Sequence, residues 1–188
     1  MRLVFLLEER SAKFFLDALL PRILPPGVDF LTIPHAGKQD LRRSIPRKLK
    51  GWLHPEDRFI VVHDQDSSDC RSLKTELQIL CLSSGRSDVK VRIACRELEA
   101  WYLGDLASLD QEYGSQLQRQ RDSRLFRTPD AIVNPSQELT RRIPAFSKTD
   151  AARKMGRIIA LENNGSHSFR LLLQTINAFL MPRPDLQV

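Results

Sequence analysis

Apolar positions in this chain fall into two rhythms. Four short stretches are rich in apolar residues: "RLVFLL" (2–7), "VDFLTI" (28–33), "RFIVVH" (58–63) and "VKVRIA" (89–94). Runs of that length between turn signals predict buried strands. Between them the spacing is helical. "SAKFFLDALLPRIL" (11–24) reads as a helix opened by Ser11 and stopped by "PPG". In 38–52, Leu41, Ile45, Leu49 and Trp52 recur at i, i+4, i+8 and i+11, which is one helical face. Arg43, Arg47 and Lys50 share a different face, and Pro46 marks either a kink or the true start of that helix. "CRSLKTELQILCLSS" (70–84) predicts a third helix, closed near Gly85.

Strands and helices thus alternate over residues 2–106. That order predicts an α/β fold, a mostly parallel four-stranded sheet flanked by helices on both faces. Beyond residue 106 no strand is predicted. An Arg-rich stretch leads to "KTDAARKMGRIIAL" (148–161) and "SFRLLLQTINAFL" (168–180), both helical. The organisation expected is a core over 1–106 and, over 107–188, an Arg-rich segment with C-terminal helices packing on the sheet or capping it.

Composition adds bounds. Hydrophobic residues make up 41% of the 188 and charged residues 28%, enough for a core of ordinary size. No apolar run approaches the roughly 18 residues that span a bilayer. "MRLVFLLEERS" reaches Glu8 and Glu9 too soon for a signal peptide. Cys70, Cys81 and Cys95 are odd in number and follow no CxxC spacing. They fit a reducing, cytoplasmic setting better than disulfides or structural zinc, and read as space-filling. The net charge of +6 is unevenly spread. Residues 38–50 hold six basic side chains and one acid; 119–142 hold Arg119, Arg121, Arg124, Arg127, Arg141 and Arg142 against three acids. Two basic patches favour a polyanionic partner.

Acids follow three of the predicted strands. Ligands of open parallel sheets bind outside the strands' carboxyl ends. Glu8 and Glu9 follow the first strand, Asp64 and Asp66 the third, Glu97 and Glu99 the fourth. Residues i and i+2 of an extended segment point the same way, so Asp64 and Asp66 are expected to aim together. Clustered carboxylates repel unless a cation sits among them, and oxygen donors suit Mg²⁺ or Mn²⁺. Ordinary alternatives stand beside this. Glu8 or Glu9 can begin a helix, Asp64 to Asp69 can form a capping loop, and Glu97 and Glu99 can lie on an exposed first turn. His35 and His63 fit local hydrogen bonds better than ligation, and Trp52 and Trp101 fit the core better than a stacking platform.

An acid after the first strand and DxD after the third resemble the Toprim domain of topoisomerases, primases and OLD-family nucleases. The matching residues are Glu8 in "FLLEERS", and Asp64 with Asp66 in "VVHDQD". Many Toprim domains have glycine after the first acid where this chain has Glu9; position favours Glu8 as the ligand. The phrases "LLEERSAKFFLDALLPRIL", "HAGKQDL", "DQDSSDC", "RIACRELEAWYLGD", "FSKTDAARKMG" and "SHSFRLLLQTI" resemble more closely a bacterial Toprim-related family often encoded beside an ABC/AAA-type ATPase.

The resemblance implies a Toprim-like or Rossmann-like metal site and a nuclease, with the effector of an ATPase-coupled anti-phage defence system as the role expected of it. Glu8, Asp64 and Asp66 would hold the metal. Glu97 or Glu99 would complete a second position or act as base. Lys148, in "FSKTDAARKMG", would contact the scissile phosphate or the leaving group. Arg43, Arg47, Lys50, Arg141 and Arg142 would track a DNA or RNA backbone. The partners expected are nucleic acid and an ATPase, with a homodimer as an option and no membrane. Two other classes remain open: a non-catalytic binding or sensor module, and a phosphoryl-transfer enzyme acting on a small phosphate.

Overall fold

The structure, a computed structural model, describes residues 1–181; residues 182–188, the end of the 107–188 segment, lie outside the described residues. Four strands, β1 (Arg2–Leu7), β2 (Asp29–Pro34), β3 (Arg58–Asp64) and β4 (Lys90–Ala94), form a parallel sheet in the order β2-β1-β3-β4. The two central strands are the most continuously apolar, because both of their faces are covered. Alternation of side chains then divides them. Leu3, Phe5, Leu7, Ile60 and Val62 enter one core, while Val4, Leu6, Phe59 and Val61 enter the other.

The second core is closed by α2 (Lys38–Lys50) and α3 (Cys70–Leu82) through Leu41, Ile45, Leu49, Leu73 and Leu77. Pro46 lies inside α2, neither at its start nor ending it, and Trp52 falls just beyond the helix. The Asp69 carboxylate caps α3 by accepting from the Ser72 amide at 2.8 Å.

The first core is larger. Helix α1 (Arg10–Leu19) lies against it, followed by a short 3₁₀ turn, Leu20–Arg22, that contains Pro21. Ser11 does not cap α1. Glu9 occupies the cap position, and the buried Ser11 hydroxyl donates to the Glu9 carboxylate. Five further helices follow: α4 (Glu99–Leu103), α5 (Leu106–Tyr113), α6 (Pro135–Arg142), α7 (Lys148–Ile158) and α8 (His167–Leu180). The first three of these were not separate elements in the sequence reading. They are short; α5 is bounded by the Asp105 cap and Gly114 at φ +64°, and α6 opens on Pro135.

The C-terminal helices pack back on the sheet. Trp101, Leu109, Leu139, Met155, Phe169 and Leu172 share one core with β1 and α1. Helix α7 approaches α1 so closely at Gly156 that a Cβ there would stand 2.4 Å from the Phe15 carbonyl oxygen. Only a glycine allows that approach. It fixes where the start of α7 lies.

Candidate functional site

All four strands end at the same edge, because the sheet is parallel. The segments leaving β1, β3 and β4 deliver Glu8 and Glu9, Asp64, and Glu97 with Glu99 to that edge. Helix α7 begins there with Lys148.

The acids divide into two linked groups. The first is built on Glu8. Its Oε2 accepts from the Asp64 amide at 3.1 Å and lies 2.9 Å from His63 Nδ1. That nitrogen is also 2.5 Å from the Asp64 carbonyl oxygen. Both neighbours are acceptors, so Nδ1 carries the proton. Burial raises the Glu8 carboxyl, but His63, the Asp64 amide and Lys38 together outweigh it and hold it below its ordinary range. Lys38, the first residue of α2, reaches Asp66 at 3.4 Å.

The second group is built on Glu99, which has no solvent exposure. Neither of its carboxylate oxygens has a hydrogen-bond partner among the described residues. Lys148 Nζ stands 3.6 Å from Glu99 Oε1 and 3.9 Å from Glu97 Oε1. Glu97 turns its other oxygen to the Ser136 amide at the start of α6, 2.8 Å away. Burial pushes the Glu99 carboxyl up to about 7 against the pull of Lys148. Burial opposes the Lys148 charge too, but Glu99, Glu97, Glu9 and Asp64 outweigh it and hold the ammonium above its ordinary range.

Asp64 joins the two groups. Burial, followed by the charges of Glu99, Glu8 and Glu9, raises it well above the usual carboxylate range, with Lys148 offsetting part. Five acids (Glu8, Glu9, Asp64, Glu97 and Glu99) therefore share one edge with two lysines, Lys38 and Lys148.

The i, i+2 argument for Asp64 and Asp66 does not hold. Extended geometry ends at Asp64, and Asp66 adopts φ +52°, in the left-handed region. Its side chain meets Lys38, while its backbone is tied to Arg96, also left-handed at φ +61°. Position favoured Glu8 over Glu9. In the fold Glu8 is occupied by His63 and the Asp64 amide, whereas the Glu9 carboxylate accepts from the Ser11 hydroxyl and lies near Asp64, Glu99 and Lys148.

Tyr102 escaped the sequence reading. Its fully buried hydroxyl has no partner among the described residues, and burial plus the charges of Glu99, Asp64 and Glu9 raise its pKa far above the usual value. The signal was present in "EAWYL", where Tyr102 is three residues after Glu99 and so on the same helical face.

The basic residues separate. Arg43, Arg47 and Lys50 are exposed along one stripe of α2. The helix starts at the acid edge and runs away from it, which puts Lys50 roughly 18 Å down its axis from Lys38. Arg141 and Arg142 both contact Glu138, at 2.7 and 3.0 Å. Arg142 also lies over Phe126, with 4.9 Å to the ring centroid. Beside Lys148 a cleft of about 470 Å³ is lined by Ser136, Gln137, Thr140, Arg141 and Phe146.

The donor chemistry fits a hard cation. The orphaned oxygens of Glu99 and the mutual repulsion around Asp64 are what a divalent ion would relieve. Among the described residues no three His, Cys, Asp or Glu side chains already surround a common point. His35, by contrast, bonds the Leu7 carbonyl at 2.8 Å and the Ser44 hydroxyl at 2.7 Å, a local structural role. Among the described residues no helix is long and apolar enough to cross a membrane.

Residues 7–177 match the family described as Domain of unknown function (DUF4276). Among solved structures, the chain is similar to the C-terminal region of the Xanthomonas campestris pv. campestris OLD protein, with 14% identity over 95% of each chain and a TM-score of 0.49. No curated protein matches the sequence.

Proposed function

The chain belongs to the DUF4276 family, and we propose that it is a Mg²⁺- or Mn²⁺-dependent nuclease that hydrolyses nucleic-acid phosphodiesters at the carboxyl edge of its sheet. The observation that carries the reading is Glu99, a fully buried carboxylate with no hydrogen-bond partner among the described residues, facing Lys148 within a cluster of acids. A solvated surface cluster would leave no such group.

Asp64 and one of Glu8 and Glu9 are the residues to hold the metal, with Glu99 beside it as the base. When bound, it would polarise a phosphoryl oxygen and acidify a water. The protein's own groups supply the rest. A Glu99 carboxyl poised near 7 can accept a proton from the attacking water at neutral pH. Lys148 places a positive charge where the leaving oxygen develops negative charge. The neighbouring cleft, with Arg141 and Phe146, gives the strand a place to lie. Arg43, Arg47 and Lys50 would hold backbone phosphates farther along α2 without reading sequence.

The test is cleavage of single- and double-stranded DNA and RNA with Mg²⁺ or Mn²⁺, with and without a co-encoded ATPase. Metal-dependent cleavage lost in Glu99→Gln is expected. Metal binding with no cleavage under any of these conditions would favour a non-catalytic module. Salt-insensitive hydrolysis of small phosphates alone would favour the phosphoryl-transfer reading.

A further inference from the structure

The cleft beside Lys148 has two walls. One is a face of α6: Ser136 and Thr140, like Gln137 and Arg141, are four residues apart, while Pro135 and Leu139 of the same helix are buried. The other is the segment that enters α7. The Phe146 amide donates to the Ile143 carbonyl at 2.9 Å, closing a turn, and two residues later Lys148 begins the helix. Both walls are tied to the acid edge. The Ser136 amide donates to Glu97, and the Lys148 ammonium faces Glu97 and Glu99.

The lining is not that of a phosphate site alone. Most of its open surface is apolar, and Phe146 is its aromatic residue. That side chain is partly buried against the first core, which fixes it in place, and it still lines the cleft. Two cations share the lining. Arg141 pairs with Glu138 through Nη2, which among the described residues leaves Nε and Nη1 without a partner. Lys148 is partly open to solvent. An aromatic ring on an apolar floor, with cations beside it, suits a nucleotide, whose base has a π face and whose phosphates are anionic. In a duplex the base faces are covered by stacking, and protein reaches only the base edges and the backbone.

We infer that this cleft is a nucleobase site, at which an unpaired base of a single strand stacks on Phe146 while Arg141 and Lys148 take the phosphates beside it. The inference rests on the nucleic-acid reading of the acid edge and adds the form of the substrate, which is single-stranded. A base seated at Phe146 brings an adjoining phosphate to Lys148, and so to the acids. Every base has a π face, so the site confers little preference for sequence.

The experiment is anisotropy titration of the full chain with a short labelled single strand, of DNA and of RNA, and with the matching duplex. Ca²⁺ is present to offset the acids, and the strands are checked for integrity afterwards. Tighter binding of the single strand is expected. Phe146→Leu keeps an apolar side chain for the core and removes the π face. It is expected to weaken single-strand binding at least about fivefold and to leave duplex binding unchanged, while Phe146→Trp binds at least as well as the wild type. A 2-aminopurine in the strand is expected to lose emission on binding the wild type. If Phe146→Leu melts too low to titrate, that emission decides. Wild-type affinity in Phe146→Leu, unquenched 2-aminopurine, or preference for the duplex would overturn the nucleobase site, and metal-dependent cleavage beside any of these would leave the nuclease reading standing. Phe146-dependent binding of the single strand without cleavage in Mg²⁺ or Mn²⁺ would uphold the site and sink the nuclease reading.

Discussion

Lys148 and Glu99 face each other at 3.6 Å across the edge of the sheet, one from the start of α7 and the other from the start of α4. The carboxylate is sealed from solvent and the ammonium is partly open to it. The pair is asymmetric as a result: Glu99 depends on Lys148 for compensation, while Lys148 also has Glu97.

Lys148→Met keeps the aliphatic stem and removes the charge. Nuclease activity is expected to fall at least about tenfold, or roughly 1.4 kcal/mol of transition-state stabilisation. The alkaline shift of the pH–rate profile is the more specific readout, because Glu99 loses the cation that opposes its rise above about 7. A profile unmoved by the substitution would mean that Lys148 does not act on the titrating group.

Glu99→Gln tests the same carboxyl through stability. Its folded pKa of about 7 lies above its ordinary 4.5. Between those values the folded chain holds a proton that the unfolded chain has released, so stability falls as pH rises through that window. The loss from this one group is at most about 3 kcal/mol, at 1.36 kcal/mol per pH unit. Urea titrations from pH 4.5 to 8 are expected to show a smaller decline in the variant than in the wild type. Parallel declines would place Glu99 in a less hostile environment.

Mg²⁺ or Mn²⁺ is expected to raise the thermal midpoint, by binding the folded chain alone. Asp64→Asn combined with Glu99→Gln removes two of the repelling charges. That variant should melt higher than the wild type without metal and gain nothing when metal is added. An undiminished metal-induced rise would locate the cation elsewhere.

Arg43, Arg47 and Lys50 form an exposed stripe. If all three meet backbone phosphates, replacing them with alanine lowers the salt slope of nucleic-acid binding by about 0.7 to 0.9 per contact. Anisotropy titrations across a salt series measure it. An unchanged slope would leave α2 as a solvated charged face.

The sheet was legible because its central strands are buried on both faces, which writes β1 and β3 as unbroken apolar runs with sharp ends. Helices α2, α3 and α8 were legible by periodicity. Helices α4, α5 and α6 were not, since each is eight residues or shorter and none repeats a face often enough to stand out. The acids at the strand ends follow from chain order alone. Their grouping does not: Asp66 departs from Asp64 through a backbone angle that "DQD" does not announce. The meeting of Lys148 with Glu99 depends on how α7 lies on α1, a contact between segments more than a hundred residues apart. Tyr102 was hidden in a phrase that reads equally well as core.

The close approach at Gly156 makes α7 a gauge as well as a packing element. From Lys148 to that glycine the helix runs without interruption. One residue inserted or deleted between them would turn the lysine by about 100° relative to the contact that anchors the helix. The exposed link at residues 53–56 sets no such relation. Changes of length should be accepted there and refused between 148 and 156, whatever residues are used to make them.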